Sequence, residues 1–292
     1  MQRKLHPLEG IVAVFALFFA LALTVGFAQA GEARVHQAKS VLLRSSSALV
    51  IDADTGDIVI SKNSEAVVPI ASITKLMTAM VTLDRDLDLE QRIVLSRDDV
   101  KTVKRSRSRL RVGTVLSRGE LMMLALMASE NLAAAALGRT YPGGMEAFVV
   151  AMNEKAAELD MRDSRFVEPT GLSPSNVSSA RDLAKLVRAA HDYPLIREYS
   201  TREHGTVRSF GRPLAFRNTN GLVRSSYWEI GLSKTGYISQ AGRCLVMRVR
   251  LQSKDLIVVL LDSWGKQSRI GDANRIRQWL EKQHVATAGQ SS

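Results

Sequence analysis

The sequence predicts an α/β fold of the α+β kind: an antiparallel sheet assembled from both ends of the chain, flanked by helices, with a helical subdomain inserted. Three observations predict it. A Val- and Ile-rich hairpin opens the body of the chain, a long stretch with three-to-four-residue apolar spacing follows, and alternating strands return near the end. The hairpin pairs Ser47 to Asp52 with Asp57 to Ser61 across a turn containing Thr55-Gly56. PIASITKLMTAMV, from Pro69 to Val81, then opens a buried helix, with Ile73, Leu76, Met77 and Met80 at helical spacing. From about Asp84 to Arg188 the pattern is mostly helical, with apolar stripes over Arg118 to Ala128, Asn131 to Leu137, Gly144 to Leu159 and Ala180 to Ala190. Breaks fall at Tyr141-Pro142-Gly143-Gly144 and through EPTGLSP, Glu168 to Pro174. Strands return at Ile230 to Lys234, Arg243 to Leu251 and Leu256 to Asp262, and a closing helix spans roughly Ser268 to Lys282. A sheet built from both chain ends places the site between it and the helical insert.

Before this body, Arg3 and Lys4 precede an apolar run from Ile11 to Phe27, and Ala28-Gln29-Ala30 follows as a small-x-small cleavage signal. Residues 1–30 therefore read as a secretory leader cleaved near Ala30, with an uncleaved anchor as the alternative. The expected domains are a linker over 31–46, one catalytic body over 47–283 with its insert at about 84–215, and a disordered tail over 284–292. Export changes the meaning of the net charge of +11. Nucleic acid becomes an unsuitable partner, an anionic envelope polymer a suitable one, and membrane contact is peripheral at most. The basic run KTVKRSRSRLR, Lys101 to Arg111, reads equally as a solvated face or a polyanion contact.

Other chemistries leave little trace. His36, His191, His204 and His284 show no paired-ligand spacing, and no metal or cofactor is expected. DADTGD, Asp52 to Asp57, has the wrong glycine offset for a calcium loop and reads as a turn. The single Cys244 sits in an alternating run and reads as a buried strand residue.

The informative constellation begins with Lys75, one turn after Ser72 on the same helix face. Ser-x-x-Lys alone is weak, since Ser263 to Lys266 repeats it, and Ser-x-Asn occurs at both Ser61 and Ser129. Order and setting carry the signal. Ser72-Ile73-Thr74-Lys75 opens a helix, Ser129-Glu130-Asn131 interrupts two helical segments, and the unique Lys234-Thr235-Gly236 lies at a strand. The chain thereby resembles the low-molecular-mass penicillin-binding proteins, the D-alanyl-D-alanine carboxypeptidase and endopeptidase family, and most of all its small endopeptidase branch. VVPIASITKLMTAMV, LALMASENLAAAALGRTYPGG, FVEPTGLSPSNVSSARDLAKLV, FRNTNGLV and GLSKTGYISQAGRCLVM extend the likeness from about Ser47 to Leu280.

The resemblance implies a β-lactamase/transpeptidase-like fold and a serine hydrolase of peptidoglycan stem peptides and cross-links, covalently inhibited by β-lactams. It implies Ser72 as nucleophile and Lys75 as its base, the amine kept neutral by burial and by the cation of Lys234. Ser129 would relay the proton to the leaving amine, and the backbone N–H groups of Ser72 and Tyr237 would form the oxyanion hole. Asn131, Lys234, Thr235 and Gly236 would seat the substrate, with Arg269 a further candidate for its carboxylate. Residue by residue, other readings stay open: Lys75 snorkelling to water, Asn131 capping a helix, Gly236 marking a bulge. An endopeptidase would cut D-alanyl cross-links and a carboxypeptidase would remove a terminal D-alanine. A β-lactamase shares the first step, but Gly171 stands where the asparagine that accompanies a deacylating glutamate at Glu168 is expected. A silent wall-binding protein would not need all of these residues.

Overall fold

The two ends of the chain meet in one sheet. In the computed structural model, which describes residues 41–103 and 108–288, strand β1 (Ser45–Asp52) pairs antiparallel with β2 (Ile58–Lys62). At their turn the Asp52 carboxylate accepts the N–H groups of Asp54 at 3.0 Å and Thr55 at 3.1 Å, and Gly56 takes a φ of 81°. The DADTGD segment is thus a hairpin. The leader expected at 1–30 and most of the linker lie outside the described residues, as do positions 104–107 of the basic run.

After a short strand β3 (Val68–Pro69), a 3₁₀ turn over Ala71–Ile73 leads into helix α1 (Thr74–Asp84). The insert then runs through β4 (Arg92–Val94), α2 (Arg97–Thr102), β5 (Val115–Ser117), α3 (Arg118–Met127), α4 (Asn131–Arg139) and α5 (Gly144–Glu158). Strand β6 (Val177–Ser178), helices α6 (Ala180–Ala190) and α7 (Pro194–Thr201), and the hairpin of β7 (His204–Ser209) with β8 (Arg212–Arg217) complete it. Strands β9 (Glu229–Ile238), β10 (Gly242–Leu251) and β11 (Lys254–Ser263) return to the sheet before helix α8 (Ser268–Ala288).

The insert is therefore less purely helical than its apolar spacing predicts. The β4–β5 ladder is three residues a side and the β7–β8 hairpin six, too short for alternation to stand out beside the helical stripes. Helix α8 also extends six residues past Lys282, so the tail expected from His284 is helical as far as Ala288.

The main sheet runs β2-β1-β11-β10-β9, antiparallel throughout. Both of its faces are covered. Leu49, Val246, Ile257 and Val259 face the cluster that includes α1 and α6, whereas Ala48, Val50, Leu245, Met247 and Leu260 face Ala273 and Ile276 of α8. Such double burial explains why β10 and β11 read as nearly continuous apolar runs. Strand order puts β2 and β9 at the two edges, and β9 lies alongside the turn that carries Ser72.

Candidate active site

Four segments distant in sequence converge at this edge. Ser72 lies in the 3₁₀ turn, where three residues complete a turn, so Lys75 falls directly above it. Lys75 Nζ donates to Ser72 Oγ at 2.9 Å, to Asn131 Oδ1 at 2.7 Å and to the Thr170 carbonyl at 2.5 Å. It has no exposure, which rules out the snorkelling reading.

That burial governs its charge. Desolvation lowers the Lys75 pKa from its ordinary value to about 7, against the opposing pull of Glu168 and Glu130. The cation expected to depress it, Lys234, is itself held well below its ordinary range, by its own burial first and then by Lys75 and Arg269. The amine is thus made neutral chiefly by desolvation rather than by a neighbouring charge. Two buried ammonium groups this close disfavour double protonation.

Ser129 and Asn131 come from the break between α3 and α4. Ser129 adopts φ of 57°, a left-handed conformation uncommon for serine, which holds its Oγ 2.9 Å from Lys234 Nζ. The N-cap of α4 is Glu130, whose carboxylate accepts the Leu132 N–H at 3.4 Å, so Asn131 is not the cap and reaches Lys75 instead.

Strand β9 supplies the third side. Lys234 Nζ also donates to the Thr235 carbonyl at 3.0 Å, and Thr235 Oγ1 donates to Thr219 Oγ1 at 2.7 Å. Gly236 pairs in register with Cys244 and marks no bulge. A methyl there would lie 2.9 Å from the Ile70 carbonyl and 3.1 Å from the Ser72 nitrogen, so glycine is what lets the strand approach the Ser72 turn. Tyr237 follows, with an exposed side chain. The Gly236 carbonyl accepts from Arg269 at 3.0 Å, which brings that arginine from α8 to the end of the site. Cys244 stays in the core, its thiol pushed up to about 11 by burial.

Further residues support the site: sequence reasoning did not single out Asn176, and it weighed Glu168 and Gly171 only against a lactamase. Asn176, fully buried, donates to Thr74 Oγ1 at 3.1 Å and to the Glu168 carbonyl at 2.8 Å, and accepts the Val167 N–H at 2.8 Å. Gly171, at φ of 78°, lies so close to the Ser72 turn that a methyl would meet the Ala71 carbonyl at 1.9 Å. The Glu168 carboxylate accepts the N–H groups of Thr170 at 2.7 Å and Gly171 at 2.6 Å, the Thr170 hydroxyl at 2.5 Å and Asn176 Nδ2 at 3.0 Å. It is saturated by its own loop, a poor state for a base. The turn-forming density of FVEPTGLSPSN signals a special loop, though not that it braces the serine from below.

The arrangement offers a hydroxyl beside a desolvated amine, a second hydroxyl beside a second buried amine, and backbone from a strand edge facing the first hydroxyl. That is a layout for acyl transfer through serine. Comparison with known proteins agrees. Residues 33–265 match the family model described as D-alanyl-D-alanine carboxypeptidase. The chain is 45% identical over 278 residues to a D-alanyl-D-alanine endopeptidase of Pseudomonas aeruginosa, covering 94% of this chain and 89% of that one. It is 45% identical over 276 residues to a D-alanyl-D-alanine endopeptidase of Escherichia coli, covering 92% and 88%. Among solved structures, the Streptomyces K15 DD-transpeptidase superposes with a TM-score of 0.76 at 26% identity, over 82% of this chain and 98% of that one.

Proposed function

The chain belongs to the D-alanyl-D-alanine carboxypeptidase family, and on that premise we propose that it is an exported D-alanyl-D-alanine endopeptidase that cuts peptidoglycan cross-links through an acyl-enzyme at Ser72. The observation that carries this reading is the Ser72–Lys75 pair: a hydroxyl 2.9 Å from an amine whose pKa burial has brought down to about 7. A neutral amine is a base, and near neutral pH a large share of Lys75 is neutral.

In the first step Ser72 Oγ attacks the D-alanyl carbonyl carbon and its proton passes to Lys75. The oxyanion forms against the N–H groups of Ser72 and Tyr237, donors of a kind worth roughly a hundredfold or more in rate. As the C–N bond breaks, Ser129 delivers its proton to the leaving amine and is reprotonated from the Lys75 ammonium, which returns Lys75 to its neutral form, with Lys234 behind Ser129 at 2.9 Å. Water then attacks the ester carbonyl, Lys75 takes its proton and passes it to Ser72 Oγ as the C–O bond breaks, which restores the hydroxyl and the neutral amine. Asn131, held by Lys75, meets the peptide carbonyl, while Lys234, Thr235 and Arg269 meet the carboxylate beyond the scissile bond. Glu168 is saturated and is not placed to act as the deacylating base a β-lactamase uses, so β-lactams act as long-lived covalent inhibitors.

Export is supported by Arg3, Lys4, the apolar run Ile11 to Phe27 and Ala28-Gln29-Ala30, with cleavage near Ala30 and a periplasmic site of action. No helix among the described residues is long and apolar enough to cross a membrane.

Intact mass spectrometry after incubation with benzylpenicillin, with turnover of cross-linked muropeptide dimers measured in parallel, tests the reading. The wild-type protein should carry one stable penicilloyl adduct and release monomers, and Ser72→Ala should do neither. Release of terminal D-alanine without dimer cleavage would make the protein a carboxypeptidase instead. Rapid penicillin loss without an adduct would point to a β-lactamase.

A further inference from the structure

A cross-link differs from a terminal D-alanine in what continues past the scissile bond. A carboxypeptidase substrate ends at the carboxylate held by Lys234 and Arg269, whereas a cross-linked one continues into a second peptide with carboxylates of its own. The sheet end beyond Gly236 should then carry groups suited to that second peptide, and three are present. Tyr237 of β9 lies directly opposite Arg243 of β10, which lies opposite Ser263 of β11, and Trp264 follows. Residues directly opposite across an antiparallel pair share a face, so Tyr237 and Arg243 project together. The two aromatic side chains are conspicuously open, Tyr237 57% and Trp264 77% exposed, in a chain that buries most of its large apolar groups.

Arg243 is half-buried and stacks over the Tyr237 ring at 4.5 Å. Stacking holds a guanidinium flat and leaves its N–H edge directed outward, the geometry that grips a carboxylate with two parallel hydrogen bonds. Among the described residues no carboxylate pairs with Arg243 or with Arg269; Asp262, which lies against Gly242, forms no ion pair with either. Arg243 also lies near enough to Arg269 to oppose its charge. With no paired carboxylate among the described residues, the positive charge of Arg243 beside that of Arg269 favours a further anionic group next to the carboxylate that Arg269 meets.

We propose that Arg243, stacked on the exposed ring of Tyr237 at the sheet end where exposed Trp264 follows β11, forms a subsite that binds a carboxylate of the peptide leaving from a cross-link. The subsite rests on the endopeptidase reading of Ser72 and supplies its substrate preference: an acidic peptide on the leaving side, packed against exposed aromatic surface at this sheet end. Arg243 acts in binding, and takes no part in acylation.

The test compares wild-type, Arg243→Gln, Arg243→Lys and Trp264→Ala proteins on three probes: a cross-linked muropeptide dimer, a short peptide ending in D-Ala-D-Ala, and benzylpenicillin. Arg243→Gln should lower kcat/KM on the dimer about tenfold, mainly through KM, and Trp264→Ala about threefold. Both should leave penicillin acylation and terminal D-alanine release unchanged, which also reports that the fold is intact. Arg243→Lys, which keeps the charge and loses the fork, should recover part of the loss. A dimer amidated on the leaving peptide at every carboxylate except the one beside the scissile bond should be as poor a substrate for wild type as the native dimer is for Arg243→Gln. An equal loss on all three probes would make Arg243 a positioning residue for Tyr237 and overturn the subsite, as would an unchanged dimer rate. A wild-type protein that is acylated by penicillin yet leaves dimers intact overturns the subsite while the serine site stands, and one that does neither overturns both.

Discussion

Helices α3 and α1 begin in opposite ways. At α3 the Ser117 hydroxyl accepts the Glu120 N–H at 3.1 Å and the Glu120 carboxylate accepts the Ser117 N–H at 2.7 Å, a complete capping box; α2 repeats it with Ser96 and Asp99. At α1 no side chain caps the entry, and the chain arrives through Ala71 at φ of 48°, a strained value for alanine. What holds that turn is distant in sequence: Asn176 on Thr74, Gly171 beneath Ala71, and Gly236 against Ile70 and Ser72. The scaffold helices obey local rules, while the turn presenting Ser72 breaks them and is braced by the tertiary structure. Strain collected where the chemistry is expected is the usual place for it.

The sharpest way to break this contrast is Gly171→Ala. Its methyl cannot coexist with the Ala71 carbonyl 1.9 Å away, so the serine turn must shift. The penicillin acylation rate should fall by roughly a hundredfold, since a displacement near 1 Å at a reacting group costs about that much. Stopped-flow acylation at the wild-type rate would show that the turn is not braced from below.

The pH profile of acylation comes next in size. Because burial lowers the Lys75 pKa to about 7 and the base must be neutral, the rate should rise with pH through about 7 and level off above it, falling about tenfold per pH unit on the acid side. A profile flat from pH 5 to 9 would remove Lys75 from the role of base.

Asn176→Ala removes the amide that ties α1 to the Glu168 loop. Leaving Thr74 and the Val167 N–H short of a buried partner should cost about 1–3 kcal/mol in denaturant unfolding and slow acylation. Loss of stability with unchanged acylation would mean that the brace serves the fold and not the serine. The smallest effect belongs to Ser117→Ala, which opens the α3 capping box. It should cost about 1 kcal/mol of stability and leave acylation unaltered, because that cap is local and remote from the reaction.

Much of the site is legible in the sequence because its chemistry is written in short local spacings. Ser72 and Lys75 are one turn apart, Ser129 and Asn131 occupy a break between helices, and Lys234, Thr235 and Gly236 are contiguous on a strand. The β1–β2 hairpin and the returning strands were legible for the same reason, each being a local alternation bounded by turn residues. What escaped the reading was relational. Asn176 is one polar residue in a loop full of them, and it became a hub only when the fold brought it to its partner Thr74, 102 positions away in sequence. The cause of the Lys75 shift escaped in the same way, since a sequence shows neighbouring charges more readily than it shows desolvation.

The sequence by itself determined the sheet built from both chain ends, the helical insert and the residue types that can perform serine acyl transfer, because periodicity and motif spacing are properties of adjacent residues. The tertiary structure alone decided that the amine beside Ser72 is desolvated, why Gly171 and Gly236 must lack a side chain, and that Arg243, Tyr237 and Trp264 share one sheet end. Burial, close approach and strand register depend on residues far apart in the chain, and those become neighbours only when the whole molecule has folded.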